Sequence, residues 1–205
     1  MSLLYYSRMR FIQNLTPLLT ASPNTAHVIS IFAGTMEDKI EADTLPVGTP
    51  RPEIYGMTEV RNYTSFMKTF FFEELAEKHA GKISFVHIYP GLVDGPTFYS
   101  DATPLWARII WRVMKPLMSW YMTSPRVCGQ VMLFLATQRY PAKGTVKSGD
   151  EKRVIGGVAY STQRELGGGA YAVGQRGDEK KEVSYAKIRK SDTAKLVWDH
   201  TKGVI

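Results

Sequence analysis

The chain has 205 residues, 44% hydrophobic and 22% charged, the make-up of one globular domain, 1–205, with a single sizeable core. Its formal charge of +7 comes from Lys and Arg spread along the chain and interleaved with acids, as in Asp178-Glu179-Lys180-Lys181-Glu182, which reads as a solvated surface and argues against a nucleic-acid partner. The single cysteine, Cys128, excludes an intrachain disulfide framework and a cysteine-rich metal site; no run reaches the roughly 18 apolar residues of a membrane span and no secretory signal is visible, so a cytoplasmic protein is expected.

Ser2 to Thr20 reads as an amphipathic helix, with Leu4, Phe11, Ile12, Leu15, Leu18 and Leu19 on one face and Arg8, Arg10 and Gln13 available to the other. Ser22-Pro23-Asn24 ends it, and Ala26 to Ala33, closed by Gly34, is a short apolar run of the kind that forms a buried strand. Thr35 to Glu59, punctuated by Pro46, Gly48, Pro50, Pro52 and Gly56, is expected to be a long loop. From Asn62 to Lys78 the period becomes helical: Phe66, Phe70 and Leu75 recur with Met67 and Phe71 beside them, and Glu73, Glu74, Glu77 and Lys78 make the polar side. Ile83 to Tyr89, between Gly81 and Pro90-Gly91, is a second buried strand, so strand, loop, helix and strand form one right-handed βαβ unit.

Further on, Pro104 to Tyr121 carries an apolar stripe of Trp106, Ile109, Ile110, Val113, Leu117 and Tyr121 with Arg108, Arg112 and Lys115 off it, and Pro116 should break or kink it. The stripe suits a core-packing helix, a lid over an apolar substrate or a helix lying on a membrane surface. Ser124-Pro125 starts a helix running to about Gln138, Lys143 to Gly157 is polar loop, and Gly167-Gly168-Gly169 is a turn into a short edge strand at Ala170 to Val173, since no helix follows to make it a phosphate cradle. Asp192 caps a last helix with Ala194, Leu196, Val197 and Trp198.

Parallel sheets bind ligands beyond the carboxyl ends of their strands, which places Gly34 to Tyr63 and Pro90 to Asp101 around the site. Candidate acid/base groups there are Tyr63, Ser30, His87 and Asp94, and candidate substrate contacts are Phe32, Tyr55, Tyr89, Tyr99 and Trp106. His87 fits a general base or a hydrogen-bonded core histidine, and Asp94 a catalyst or a turn residue. No HExxH, carboxylate cluster or Cys-His spacing points to a metal, and GxSxG is absent.

In their order, YYSRMRFIQNLTPLL, HVISIFAG, FVHIYPGLV, FLATQRYP and the Trp198-Asp199-His200-Thr201 ending resemble the C-terminal part of short-chain dehydrogenase/reductases, in particular the divergent fungal members of secondary metabolism. The resemblance implies an α/β fold: a partial, N-terminally truncated Rossmann-like parallel sheet flanked by helices, without the GxxxGxG turn that seats the dinucleotide. The family's YxxxK pair is displaced. Tyr63 and Lys68 stand five apart, which sets them about 140° apart on a helix instead of about 40°, and counting back from Glu74-Leu75-Ala76 the pair's positions fall near Arg61 and Ser65. Ser30 lies one place before the expected serine position, held by Ile31; the helix asparagine position falls near Leu3 or Leu4; and Gly95 stands where a threonine often meets the nicotinamide, with Thr97 two later.

The expected function is therefore a reductase-like protein acting on an apolar small molecule by cofactor-independent acid/base chemistry, isomerisation or cyclisation, with no NADP bound. The alternatives are an NADP-dependent oxidoreductase whose cofactor half comes from elsewhere and a non-catalytic partner protein. A homodimer or a complex with a partner chain is expected, because an apolar strand edge needs cover and Phe66, Phe70, Phe71 and Phe72 exceed what one helix face buries.

Overall fold

The computed structural model describes residues 1–37, 40, 45–95, 99–101, 103–147, 149, 154–179, 183, 185–190 and 192–205. A π-helical turn, Ser2–Tyr6, leads into α1, Ser7–Thr20. There follow β1, Ala26–Ile31; α2, Met57–Lys78; β2, Ile83–Ile88; α3, Leu105–Met118; α4, Pro125–Leu135; β3, Ala170–Val173; α5, Tyr185–Ile188; and α6, Thr193–Val204.

The three strands make one parallel sheet in chain order, with Ala26 opposite Ile83 and Ile31 opposite Ile88, then Phe85 opposite Ala170 and Ile88 opposite Val173. The fold is the α/β, partial Rossmann-like sheet that the sequence implied. Every residue of β2 and β3 is buried, as strands covered on both faces require. On one side α2, with α6 and the Ser2–Tyr6 turn packed against it and α1 beside β1, sets Phe66, Phe70, Phe72 and Leu75 against Phe85 and Ala170; on the other, Leu135 of α4 joins Tyr140 and Ala159 over Val86, Ile88, Tyr171 and Val173.

The apolar excess of α2 is spent inside the chain. Phe66, Phe70, Phe71 and Phe72 are all buried, Phe71 stacking on Trp198 of α6 at 5.0 Å, so these phenylalanines are not the exposed patch expected of an interface. A helix covered by sheet on one side and helices on the other is apolar nearly all round. It also starts five residues earlier than the sequence suggested, and Glu73, assigned to the polar side, is buried against Arg189, which bonds both its carboxylate oxygens at 2.5 and 2.6 Å. In α1 the buried residues are Met9 and Ile12, while Phe11 and Leu18 of the expected apolar face are exposed.

Both ends of the chain meet. Tyr5 Oη lies 2.7 Å from Thr201 Oγ1, and Tyr6 Oη 2.8 Å from His200 Nε2. Ser124 caps α4, its Oγ accepting from Val127 N–H, and the triple glycine turns into β3, an edge strand. Asp192 sits at the start of α6 without a side-chain capping bond; there Thr193 Oγ1 accepts from the Lys190 amide. Pro116 does not end α3, which runs two residues past it.

Candidate functional site

The carboxyl ends of β1 and β2 face the first half of α2, and the polar groups gathered there are sealed from solvent. Ala33 N–H points at His87 Nε2, 3.2 Å away. An amide only donates, so Nε2 is the bare nitrogen and the ring proton sits on Nδ1, from where it reaches Thr69 Oγ1 at 2.8 Å. The Thr69 hydroxyl in turn donates to Glu37 Oε1 at 2.6 Å, and Tyr185 donates to Glu37 Oε2 at 3.2 Å. Burial pushes the His87 pKa down and that of Tyr185 up, which keeps the imidazole neutral and the phenol protonated. His87 is therefore the hydrogen-bonded core histidine, with both ring nitrogens engaged, and is not placed to act as a general base. Gly34 follows from the same packing: a Cβ there would run into the His87 carbonyl oxygen.

Lys68 lies beside this chain. It is fully buried, its Nζ stands 4.5 Å over the Phe32 ring, and it has no hydrogen-bond partner among the described residues. Burial, reinforced by the nearby Arg8 charge, pushes its pKa down to about 7. Ser30, two residues before Phe32, is also buried and lines a groove between α1 and the outer edge of β1. The groove has a volume of about 730 Å³ and is walled by Phe11, Ile12, Leu15, Leu19 and Val28, with Arg8 at one end bonding the Ile31 carbonyl at 3.0 Å. This groove lies beside β1, whereas the sequence pointed to the loops Gly34 to Tyr63 and Pro90 to Asp101.

At the ends of β2 and β3 a smaller cleft of about 280 Å³ is lined by Tyr89, Tyr121, Gln175, Arg176 and Asp178. Nearby, Lys115 Nζ bonds Asp94 Oδ2 and Tyr99 Oη, both at 2.8 Å, and holds the Asp94 carboxyl below its ordinary range. The structure thus brings Phe32 and His87 to Lys68, sets Ser30 opposite His87 in the sheet, and pairs Asp94 with Tyr99. It leaves Tyr55 and Trp106 exposed, and buries Tyr63 inside α2 on a different face from Lys68. Thr97 lies outside the described residues. Among the described residues no three His, Cys, Asp or Glu side chains come together to hold a metal.

The sequence reading missed Glu37, Thr69 and Tyr185, which come from the stretch after β1, from α2 and from the distant α5; only the polarity of Thr69 within an apolar helix hinted at a buried partner. The positions expected for the proton-transfer pair serve structure. Ser65 donates to the Ala33 carbonyl at 2.6 Å, and the Arg61 guanidinium lies 5.7 Å over the Tyr89 ring. A hydroxyl bound to backbone and a guanidinium do not do the proton-transfer work of a tyrosine and lysine at those two positions.

No family model and no solved structure matches the chain. Over 98% of its length it is 52% identical to the short-chain dehydrogenase/reductase SAT2 of Stachybotrys chartarum, of which it covers 56%. It is 33% identical to the oxidoreductase AN1596 of Emericella nidulans across its whole length, covering 60% of that protein, and 32% identical over 96% of its length to the oxidoreductase andH of Emericella variicolor, covering 57%. Its homologues are fungal short-chain dehydrogenase/reductase-like proteins, and the chain spans a little over half the length of these curated relatives.

Proposed function

We propose that the chain forms the substrate side of a reductase-like catalyst that takes an apolar small molecule of the secondary-metabolite type and rearranges it by acid/base chemistry, an isomerisation or cyclisation, in the cytoplasm and without NADP. Lys68 carries this reading. A buried amine with a pKa of about 7 and no hydrogen-bond partner among the described residues can give up and recover a proton at neutral pH, which a solvated lysine cannot. It stands over Phe32, two residues from Ser30, which lines an apolar groove whose volume suits a small-molecule ligand. Ser30 would orient a substrate oxygen there, and a second copy or partner chain laid along β1 would close the groove on its open side.

The names of the relatives favour a second reading, an oxidoreductase whose nicotinamide half is supplied by another chain. One experiment separates the two. The chain is incubated with a solvent extract of a fungal culture, with and without NADPH, and the mixture is followed by mass spectrometry. A product of unchanged mass, formed without NADPH and lost in Lys68→Met, supports the acid/base reading. A product differing by the mass of one hydrogen molecule and formed only with NADPH replaces it by the second.

A further inference from the structure

Helix α3 is inside out. Trp106, Ile109, Val113 and Leu117 fall within about 80° of arc on the helix, and they face away from the body of the protein: Trp106 is 67% exposed, Val113 and Leu117 66% each. None of the fourteen residues of α3 is buried. Just beyond its end Trp120 is 84% exposed, with Tyr121 beside it. The polar side is the one held to the body, Lys115 by Asp94 at 2.8 Å and Arg108 by Asp101 at 3.2 Å.

The charge of the chain has the same address. Between Asp101 and Asp150 there is no acidic residue and there are seven basic ones, Arg108, Arg112, Lys115, Arg126, Arg139, Lys143 and Lys147. The rest of the chain carries 19 acidic residues, all of those in the protein, and as many basic ones, so the whole net charge of +7 belongs to the segment that carries the exposed helix. The excess that looked evenly spread is local. Arg108 and Lys115 are paired with acids from outside the segment, as are Arg139 with Glu179 and Lys143 with Glu77 and Glu165, while Arg112 and Arg126 stand exposed.

We propose that α3 docks on an anionic lipid bilayer, lying in the plane of the interface with Trp106, Ile109, Val113 and Leu117 among the acyl chains and the surrounding basic segment against the headgroups. An outward apolar face, aromatic rings at its two ends and cations along its flank are the features that hold a helix at such an interface. Three other occupants fit less well. A lid closing on its own cleft would have to roll over and break both tethering ion pairs. A second copy would bring one acid-free basic segment against another, and nucleic acid would leave the apolar face in water. The docking does not cross the membrane: among the described residues no helix is long and apolar enough to do so.

Flotation of the full chain with vesicles tests this. Vesicles of phosphatidylcholine with about 30% phosphatidylserine should carry the protein up the gradient and shift tryptophan emission to the blue, and phosphatidylcholine alone should bind about 10-fold less. Val113→Glu with Leu117→Glu should lower binding at least about 10-fold, while Leu133→Glu, a change at a residue 76% exposed outside α3, should not. Because all three residues face water, the variants should melt with the parent protein. Protein that stays at the bottom with the anionic vesicles overturns the proposal, as does capture that the double variant does not reduce. Self-association lost in the double variant without vesicle capture would overturn it in favour of a second copy, and a mobility shift of duplex DNA without vesicle capture in favour of nucleic acid.

Discussion

Thr69 stands between two groups that would otherwise face each other with only 3.5 Å between them, His87 Nδ1 and Glu37 Oε1, and its hydroxyl relays one hydrogen bond into the next. Thr69→Val keeps the shape and removes the relay, leaving a buried N–H and a buried carboxyl oxygen short of a partner. We expect a loss of about 1–3 kcal/mol in urea unfolding. The ring proton should stay on Nδ1, because the Ala33 amide still occupies Nε2; nitrogen NMR of the histidine reads this directly, and a proton found on Nε2 would show that Thr69 sets the tautomer.

Lys68 makes stability depend on pH above neutrality. Its folded pKa of about 7 lies below the ordinary 10.5, so between these values only the unfolded state binds the proton and stability rises with pH. The gain between about pH 7 and about pH 9 should reach about 2 kcal/mol. Above the ordinary tyrosine value of 10.0 the trend reverses, because burial raises the pKa values of Tyr5 and Tyr171 and the unfolded chain then loses protons first. Denaturant melts between about pH 7 and about pH 9 should show the rise in the parent protein and a flat response in Lys68→Met.

Arg189 should matter far more than Arg108, although both make ion pairs. The Arg189 partner, Glu73, is buried in α2 and also accepts from Thr162 at 2.5 Å, so Arg189→Met strands a carboxylate and should cost about 3 kcal/mol. Arg108 faces a fully exposed Asp101, and Arg108→Met should change stability by well under about 1 kcal/mol. Equal effects in parallel urea titrations would refute the assignment of burial.

Gly34→Ala should destabilise by about 2 kcal/mol or more, since the new methyl meets backbone at the end of β2 and cannot be relieved by a rotamer change. Gly81→Ala, where a Cβ has open space but φ is +77°, tests strain without collision and should cost about 1 kcal/mol. Thermal melts of the two variants rank the effects.

Periodicity makes the strands legible: the runs Ala26 to Ala33 and Ile83 to Tyr89 match β1 and β2 within two residues because short β-branched runs bounded by Gly and Pro have few other uses. It was less informative for α2, where a helix buried on all sides has no polar stripe to mark its face, and Glu73 looked like surface until Arg189 was found beside it. For α3 the stripe was plain but its direction was not, since a helical wheel does not say which side meets the protein. The site was harder still. Glu37, Thr69, His87 and Tyr185 are spread over 148 positions, and only the folded chain brings them together. The five-residue spacing of Tyr63 and Lys68 is plain in the sequence, yet it says nothing of the burial that lowers the lysine's pKa.

The pairing of Tyr5 with Thr201 joins positions 196 residues apart. Closing a contact of such long sequence separation costs loop entropy before it returns any packing, so it belongs to the late steps of folding, once the sheet already holds the chain between. Until it closes, Tyr5 and Phe71 keep aromatic surface open to water and to other chains. Helix α6 works as a clasp on the fold.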